Sequence, residues 1–101
     1  MHHLTLYKNK LQQQKALLMQ QYPIKTIGLF GSVERNDFNE NSDIDVIVEF
    51  TKPVGMEFIE LADQLENILQ RRVDLVSRKG LREKTFEFIK DEIQEVFQNE
   101  R

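Results

Sequence analysis

Residues Gly31–Asp45 read GSVERNDFNENSDID. The stretch decides the fold because it joins two short apolar runs, Ile27-Gly28-Leu29-Phe30 before it and Val46-Ile47-Val48 after it. Runs of that length and composition read as buried strands. Alternate residues of a strand share one face, about 6–7 Å apart, so Asp43 and Asp45 stand side by side where the second run begins. Two carboxylates at that spacing are suited to a hard divalent cation such as Mg²⁺. Gly31-Ser32 closes the first run, and a Gly-Ser pair at a strand-to-helix turn offers backbone N–H groups and a hydroxyl to phosphate oxygens. The stretch therefore predicts a site for a metal–nucleotide.

Composition narrows the rest. The 101 residues are 40% hydrophobic and 31% charged, which suits one globular domain spanning 1–101. With no cysteine, neither disulfides nor thiolate metal sites are available. No apolar run has the length of a membrane helix, and a cytoplasmic location with no membrane contact is expected. A net charge of −3 and a pI near 5.4 argue against broad nucleic-acid binding through a basic surface. His2 and His3, the two histidines, stand together at the N-terminus and are expected to be inert.

Outward from the central stretch, residues 3–21 carry Leu4, Tyr7, Leu11 and Leu18 at helical spacing, and Pro23 ends that helix. Ile24–Phe30 reads as the first strand. Ser32 is expected to cap a short helix reaching about Arg35, followed by a polar loop in which Phe38 is the apolar anchor. Asp45–Phe50 is the second strand. Phe58, Leu61, Ala62, Leu65, Ile68 and Leu69 form one helical stripe between Gly55 and Arg71. Arg72-Val73-Asp74-Leu75-Val76 reads as a third strand, and Leu81–Phe97 as a last helix with Phe88 off its apolar side. The order is α–β–(short α)–β–α–β–α, an α+β domain with a small sheet of about three strands flanked by helices.

Asp74 lies between apolar residues in the third strand. A carboxylate in such a setting is neutralised, hydrogen-bonded or bound to a metal. If its strand neighbours that of Asp43 and Asp45, three carboxylates converge and repel one another unless cations lie between them. Two Mg²⁺ ions about 3.5–4 Å apart would relieve that repulsion and form a phosphoryl or nucleotidyl transfer site. Asp43 and Asp45 would hold the ion carrying a triphosphate, and Asp74 would complete the second and orient or deprotonate the attacking hydroxyl. Each element alone has a plainer explanation: Asp43 and Asp45 as a solvated strand edge, Gly-Ser as an ordinary turn, Asp74 as a partner of Arg71, Arg72 or Arg78.

Gly31-Ser32, ten residues, then Asp43-Ile44-Asp45 resembles the signature of the polymerase β-like nucleotidyltransferase superfamily. The longer GSVERNDFNENSDIDVIVEF, the later RRVDLV and the short chain resemble its minimal nucleotidyltransferase branch. The resemblance runs from about Ile24 to Ile93. It implies a mixed sheet with flanking helices, ATP with Mg²⁺ as donor, and transfer of a nucleoside monophosphate to a hydroxyl. By position, Gly31 and Ser32 would contact the donor phosphates, and Asp43, Asp45 and Asp74 would be the catalytic, metal-binding carboxylates. Val33 stands where such proteins often have a basic residue, so Arg35, with Ser42, is a further candidate for nucleotide contact. Many proteins of this size in the family resemble antitoxins paired with a HEPN-type toxin, which they inactivate by adding AMP to a tyrosine.

Three functions follow from these readings: adenylyl transfer to a partner toxin, neutralisation of a partner by complex formation alone, and transfer to a small molecule or an RNA end. A chain of this size leaves little to build an acceptor-binding domain, which favours an acceptor carried by another protein. The basic pair Arg78-Lys79 is a candidate to hold triphosphate or partner.

Overall fold

In the computed structural model, residues 3–99 are described. His2 lies outside them. The order is α1 (His3–Gln13), α2 (Lys15–Gln21), β1 (Ile24–Phe30), a 3₁₀ turn (Gly31–Glu34), β2 (Ile44–Phe50), α3 (Glu57–Leu69), β3 (Val73–Ser77), α4 (Glu83–Ile89), a second 3₁₀ turn (Lys90–Glu92) and β4 (Gln94–Gln98). The strands form one mixed sheet in the order β3-β2-β1-β4. β1 runs antiparallel to both β2 and β4, and β2 runs parallel to β3 through the α3 crossover.

Helices and sheet meet along one side. Leu11 and Leu18 from α1 and α2, and Leu61, Leu65 and Leu69 from α3, are buried against Ile44, Val46 and Val48 of β2 and Ile27 and Leu29 of β1. Ile44, Val46 and Val48 alternate with Asp45, Ile47 and Glu49 along β2, so the same period of two that buries the first set turns Asp45 to the opposite face. The core thus decides where the carboxylate points. Phe38 is buried in that core, as an anchor of the polar loop. His3 opens α1, and its ring lies 4.9 Å from that of Phe38.

Four expectations change. The last helix does not run from Leu81 to Phe97: it stops at Ile89, and Gln94–Gln98 pairs with β1 as a fourth strand. Val96 and Phe97 are buried there. Over so few residues the apolar spacing suits helix or strand, and the unpaired edge of β1 settles it, since its N–H and C=O groups need partners. The first helix is interrupted at Gln14, whose N–H donates to Leu11 O at 3.0 Å, one residue short of the α-helical step. Ser32 caps nothing; it lies inside a 3₁₀ turn that begins at Gly31. Asp74 is exposed, because β3 is an edge strand and Asp74 is on the uncovered face.

Candidate functional site

The site forms where β1 ends and β2 and β3 begin. Ile44 pairs with Val73, and Asp45 lies directly opposite Asp74 in the parallel register. On the other side of β2, Asp45 opposes Phe30, the last residue of β1, so the Gly31-Ser32 turn reaches the same point. Gly31 has φ +68°, and a Cβ there would stand 2.5 Å from Asp45 Oδ2. Both the left-handed backbone and the close approach demand glycine.

Ser32 ties the turn to the carboxylates. Its N–H donates to Asp45 Oδ2 at 3.1 Å, and its hydroxyl donates to Asp43 O at 2.6 Å, with Asp45 Oδ2 a second acceptor at 3.1 Å. One hydroxyl has one proton, so the shorter bond is the principal one. Asp43 is just outside β2, its Oδ1 3.2 Å from Arg72 Nε in an exposed ion pair. The Asp74 carboxyl is pushed above its ordinary pKa, first by partial burial and then by the charges of Asp45 and Asp43. The three aspartates therefore share one electrostatic neighbourhood. Among the described residues they do not form a ready three-ligand metal cage, since Asp43 is turned toward Arg72 and Asp45 toward Ser32.

The remaining candidates differ in placement. Arg35 follows the 3₁₀ turn on the surface, its N–H donating to Ser32 O. Ser42 closes the loop turn: its Oγ accepts from the Asn39 N–H at 3.1 Å, and its own N–H donates to Asn39 O at 3.0 Å. Arg78 directly follows β3, four residues on from Asp74 and about 13 Å away by strand rise. Its guanidinium lies 3.6 Å from the Phe86 ring centroid and bonds Glu83 at 3.1 Å. It braces α4 from the far end of the sheet, away from the carboxylates.

One residue is missed by the sequence reading. Arg71 appears there only as a possible ion-pair partner of Asp74. In the structure its guanidinium instead donates to Tyr7 Oη at 2.8 Å and to the carbonyls of Asn39 and Ser42 at 2.6 Å each, and it lies over the Phe38 ring. The only local signal is its place beside the RVDLV strand; its partners are 29–64 residues away.

Residues 11–101 match the family model described as a nucleotidyltransferase domain. A candidate protein adenylyltransferase from Methanocaldococcus jannaschii is 42% identical over 79 residues, covering 77% of this chain and 92% of that one. The fold is similar to a chain in the complex of tri-AMPylated Shewanella oneidensis HEPN toxin with MNT antitoxin, with TM-score 0.68, 26% identity, and coverage of 95% of this chain and 73% of that one. It is also similar to a chain of a toxin–antitoxin complex with AMP-PNP, at TM-score 0.73 and 25% identity, covering 92% and 74%. Among the described residues no helix is long and apolar enough to cross a membrane.

Proposed function

The chain belongs to the nucleotidyltransferase domain family, and from that membership we propose that it transfers AMP from ATP to a hydroxyl, a tyrosine's, on a partner toxin of the HEPN type, acting as its antitoxin. The observation that carries the reading is the in-register pair Asp45 and Asp74 beside the Gly31-Ser32 turn. The similarity to chains from a tri-AMPylated toxin complex and an AMP-PNP complex supports the donor and the partner.

The donor set fits magnesium. It is all oxygen and carries three carboxylates, and the Asp74 carboxyl is held above its ordinary pKa first by partial burial and then by the charges of Asp45 and Asp43. Asp43, Asp45 and Asp74 would hold the metal, which when bound neutralises charge on the triphosphate. The chain's own residues then divide the work. The Gly31-Ser32 turn stands beside Asp45, and donor phosphates would take over the Ser32 N–H and hydroxyl that the aspartates hold here. The acceptor oxygen attacks the α-phosphorus, the bond to the β-phosphate oxygen breaks, and pyrophosphate leaves. Asp74, in register opposite Asp45, takes the hydroxyl proton on a carboxylate oxygen.

Incubation of the protein and its cognate partner with labelled ATP and Mg²⁺ tests this. A labelled partner tyrosine is expected, and Asp43→Ala/Asp45→Ala abolishes it. An unlabelled partner, or a double variant that neutralises the toxin as well as wild type, overturns the reading in favour of neutralisation by binding. Labelling of RNA ends or small hydroxyl compounds instead of the partner overturns the choice of acceptor.

A further inference from the structure

The loop from Arg35 to Asp43 ends at the carboxylates yet belongs to no strand or long helix. Its own bonds are local, from the Phe38 N–H to Arg35 O and between Asn39 and Ser42, and besides the Ser32 hydroxyl on Asp43 O a contact from outside the loop is needed to fix where it stands. We propose that Arg71 is the positioning residue of the donor site, strapping this loop to α1 so that Asp43 is presented beside Asp45. The inference rests on the transfer reading above and adds a residue to that site.

The geometry is specific to a guanidinium. The two protons on one terminal nitrogen of Arg71 serve two carbonyls, Asn39 O and Ser42 O, each at 2.6 Å. Those carbonyls are the two ends of the Asn39–Ser42 turn, and the next residue is Asp43. The other terminal nitrogen reaches Tyr7 Oη of α1 at 2.8 Å. The flat face covers the Phe38 ring with its carbon 4.7 Å from the centroid, and Phe38 is itself buried. A planar fork with bonds in its plane and a ring on its face is available to arginine alone. Arg72 complements it from the side-chain direction, bonding Asn41 O at 3.1 Å and meeting Asp43 Oδ1. Consecutive arginines thus both hold the loop's main chain, and Arg72 holds the Asp43 carboxylate as well. The strap is joined rigidly to the sheet, since Arg72 O accepts from the Ile44 N–H at 2.9 Å, between Asp43 and Asp45.

Arg71→Lys tests the inference because lysine keeps the charge but cannot serve two carbonyls while lying flat on a ring. Circular dichroism first establishes that the variant folds. Two readouts follow: the melting-temperature shift caused by Mg²⁺ with AMP-PNP, and the split between KM for ATP and kcat in partner labelling. The expected result is a smaller nucleotide-induced shift and a KM raised about tenfold, with kcat changed less than about threefold. A variant that melts lower but keeps the wild-type KM and nucleotide-induced shift has lost only a structural contact, and overturns the inference. If Arg71→Lys does not fold, Tyr7→Phe removes one of the three acceptors and should give the same split at about two- to threefold; an unchanged KM there also overturns it. A wild-type protein that shifts with nucleotide, loses that shift on Arg71→Lys, and transfers nothing overturns the transfer reading while supporting this one.

Discussion

Replacing Gly31 by alanine sets two costs against each other at one atom. The new Cβ would stand 2.5 Å from Asp45 Oδ2, and φ +68° keeps the backbone where L-residues are strained. The left-handed conformation alone costs about 1–2 kcal/mol for a residue with a Cβ. The clash need not be borne in full, because the opposing atom is the end of a side chain and can rotate away. Rotation breaks the bond from the Ser32 N–H to Asp45 Oδ2, a net loss of about 1 kcal/mol. The variant should therefore fold with Asp45 displaced, less stable by about 2–3 kcal/mol, which in a domain of this size lowers Tm by about 10–20 °C. Calorimetry or thermal circular dichroism measures that fall, and labelled-ATP transfer should drop more than the loss of folded protein explains. A double-mutant cycle isolates the contact. In an Asp45→Ala background the same glycine substitution should cost only the backbone part, leaving a coupling of about 1 kcal/mol. The reasoning is refuted if Gly31→Ala melts within about 3 °C of wild type, or if its cost is unchanged in the Asp45→Ala background.

Four further outcomes follow, two from other parts of the fold and two from the site. Gly28→Ala puts a Cβ 2.8 Å from Ile93 Cγ2 and 3.2 Å from Gln94 O, so it should loosen β4 and cost about 1–3 kcal/mol, with amide exchange rising first at Val96 and Phe97; unchanged protection there would contradict the fourth strand. Gln70 ends α3 at φ +55°, and Gln70→Gly should raise stability by about 0.5–1 kcal/mol in chemical denaturation, less the exposed side-chain bond to Asn67 O. Mg²⁺ with ATP at about one hundred times Kd should add about 2.7 kcal/mol, lost on chelation. Asp74→Asn should leave the metal-free protein at least as stable as wild type while abolishing transfer, and equal destabilisation with and without metal would make Asp74 a structural partner.

Much of the fold is legible in local sequence. The i, i+4, i+8 spacing of Leu61, Leu65 and Leu69 marks α3, and the structure buries all three. Pro23 stops the first helical segment, and the Tyr22 backbone before it is already extended. Phe88, off the apolar stripe, is 82% exposed. Less legible is the segment after Gly80. Phe86, Ile89, Ile93, Val96 and Phe97 satisfy a helical pattern as well as a strand's, and nothing local arbitrates. β4 exists because an edge of β1 is open and Gly28 lets Ile93 lie against it.

The site divides along the same line. Gly31-Ser32, the Asp43/Asp45 pair and Asp74 are in the sequence because each depends on a residue type at a local spacing. Their meeting does not: Asp45 faces Asp74 only because β2 and β3 pair in parallel at one register, and a slip of a single residue would turn one carboxylate into the core. Arg71 is the clearest case. Nothing near it in the chain distinguishes it from Arg72, yet Arg71 lies over Phe38 and reaches Tyr7 while Arg72 meets the Asp43 carboxylate. What the sequence determined by itself was the chemistry available, since side-chain type and strand or helix period are local properties. Which groups share a point in space was decided only by the tertiary structure, because strand order, register and the closing of the Arg35–Asp43 loop are set by contacts between residues far apart along the chain.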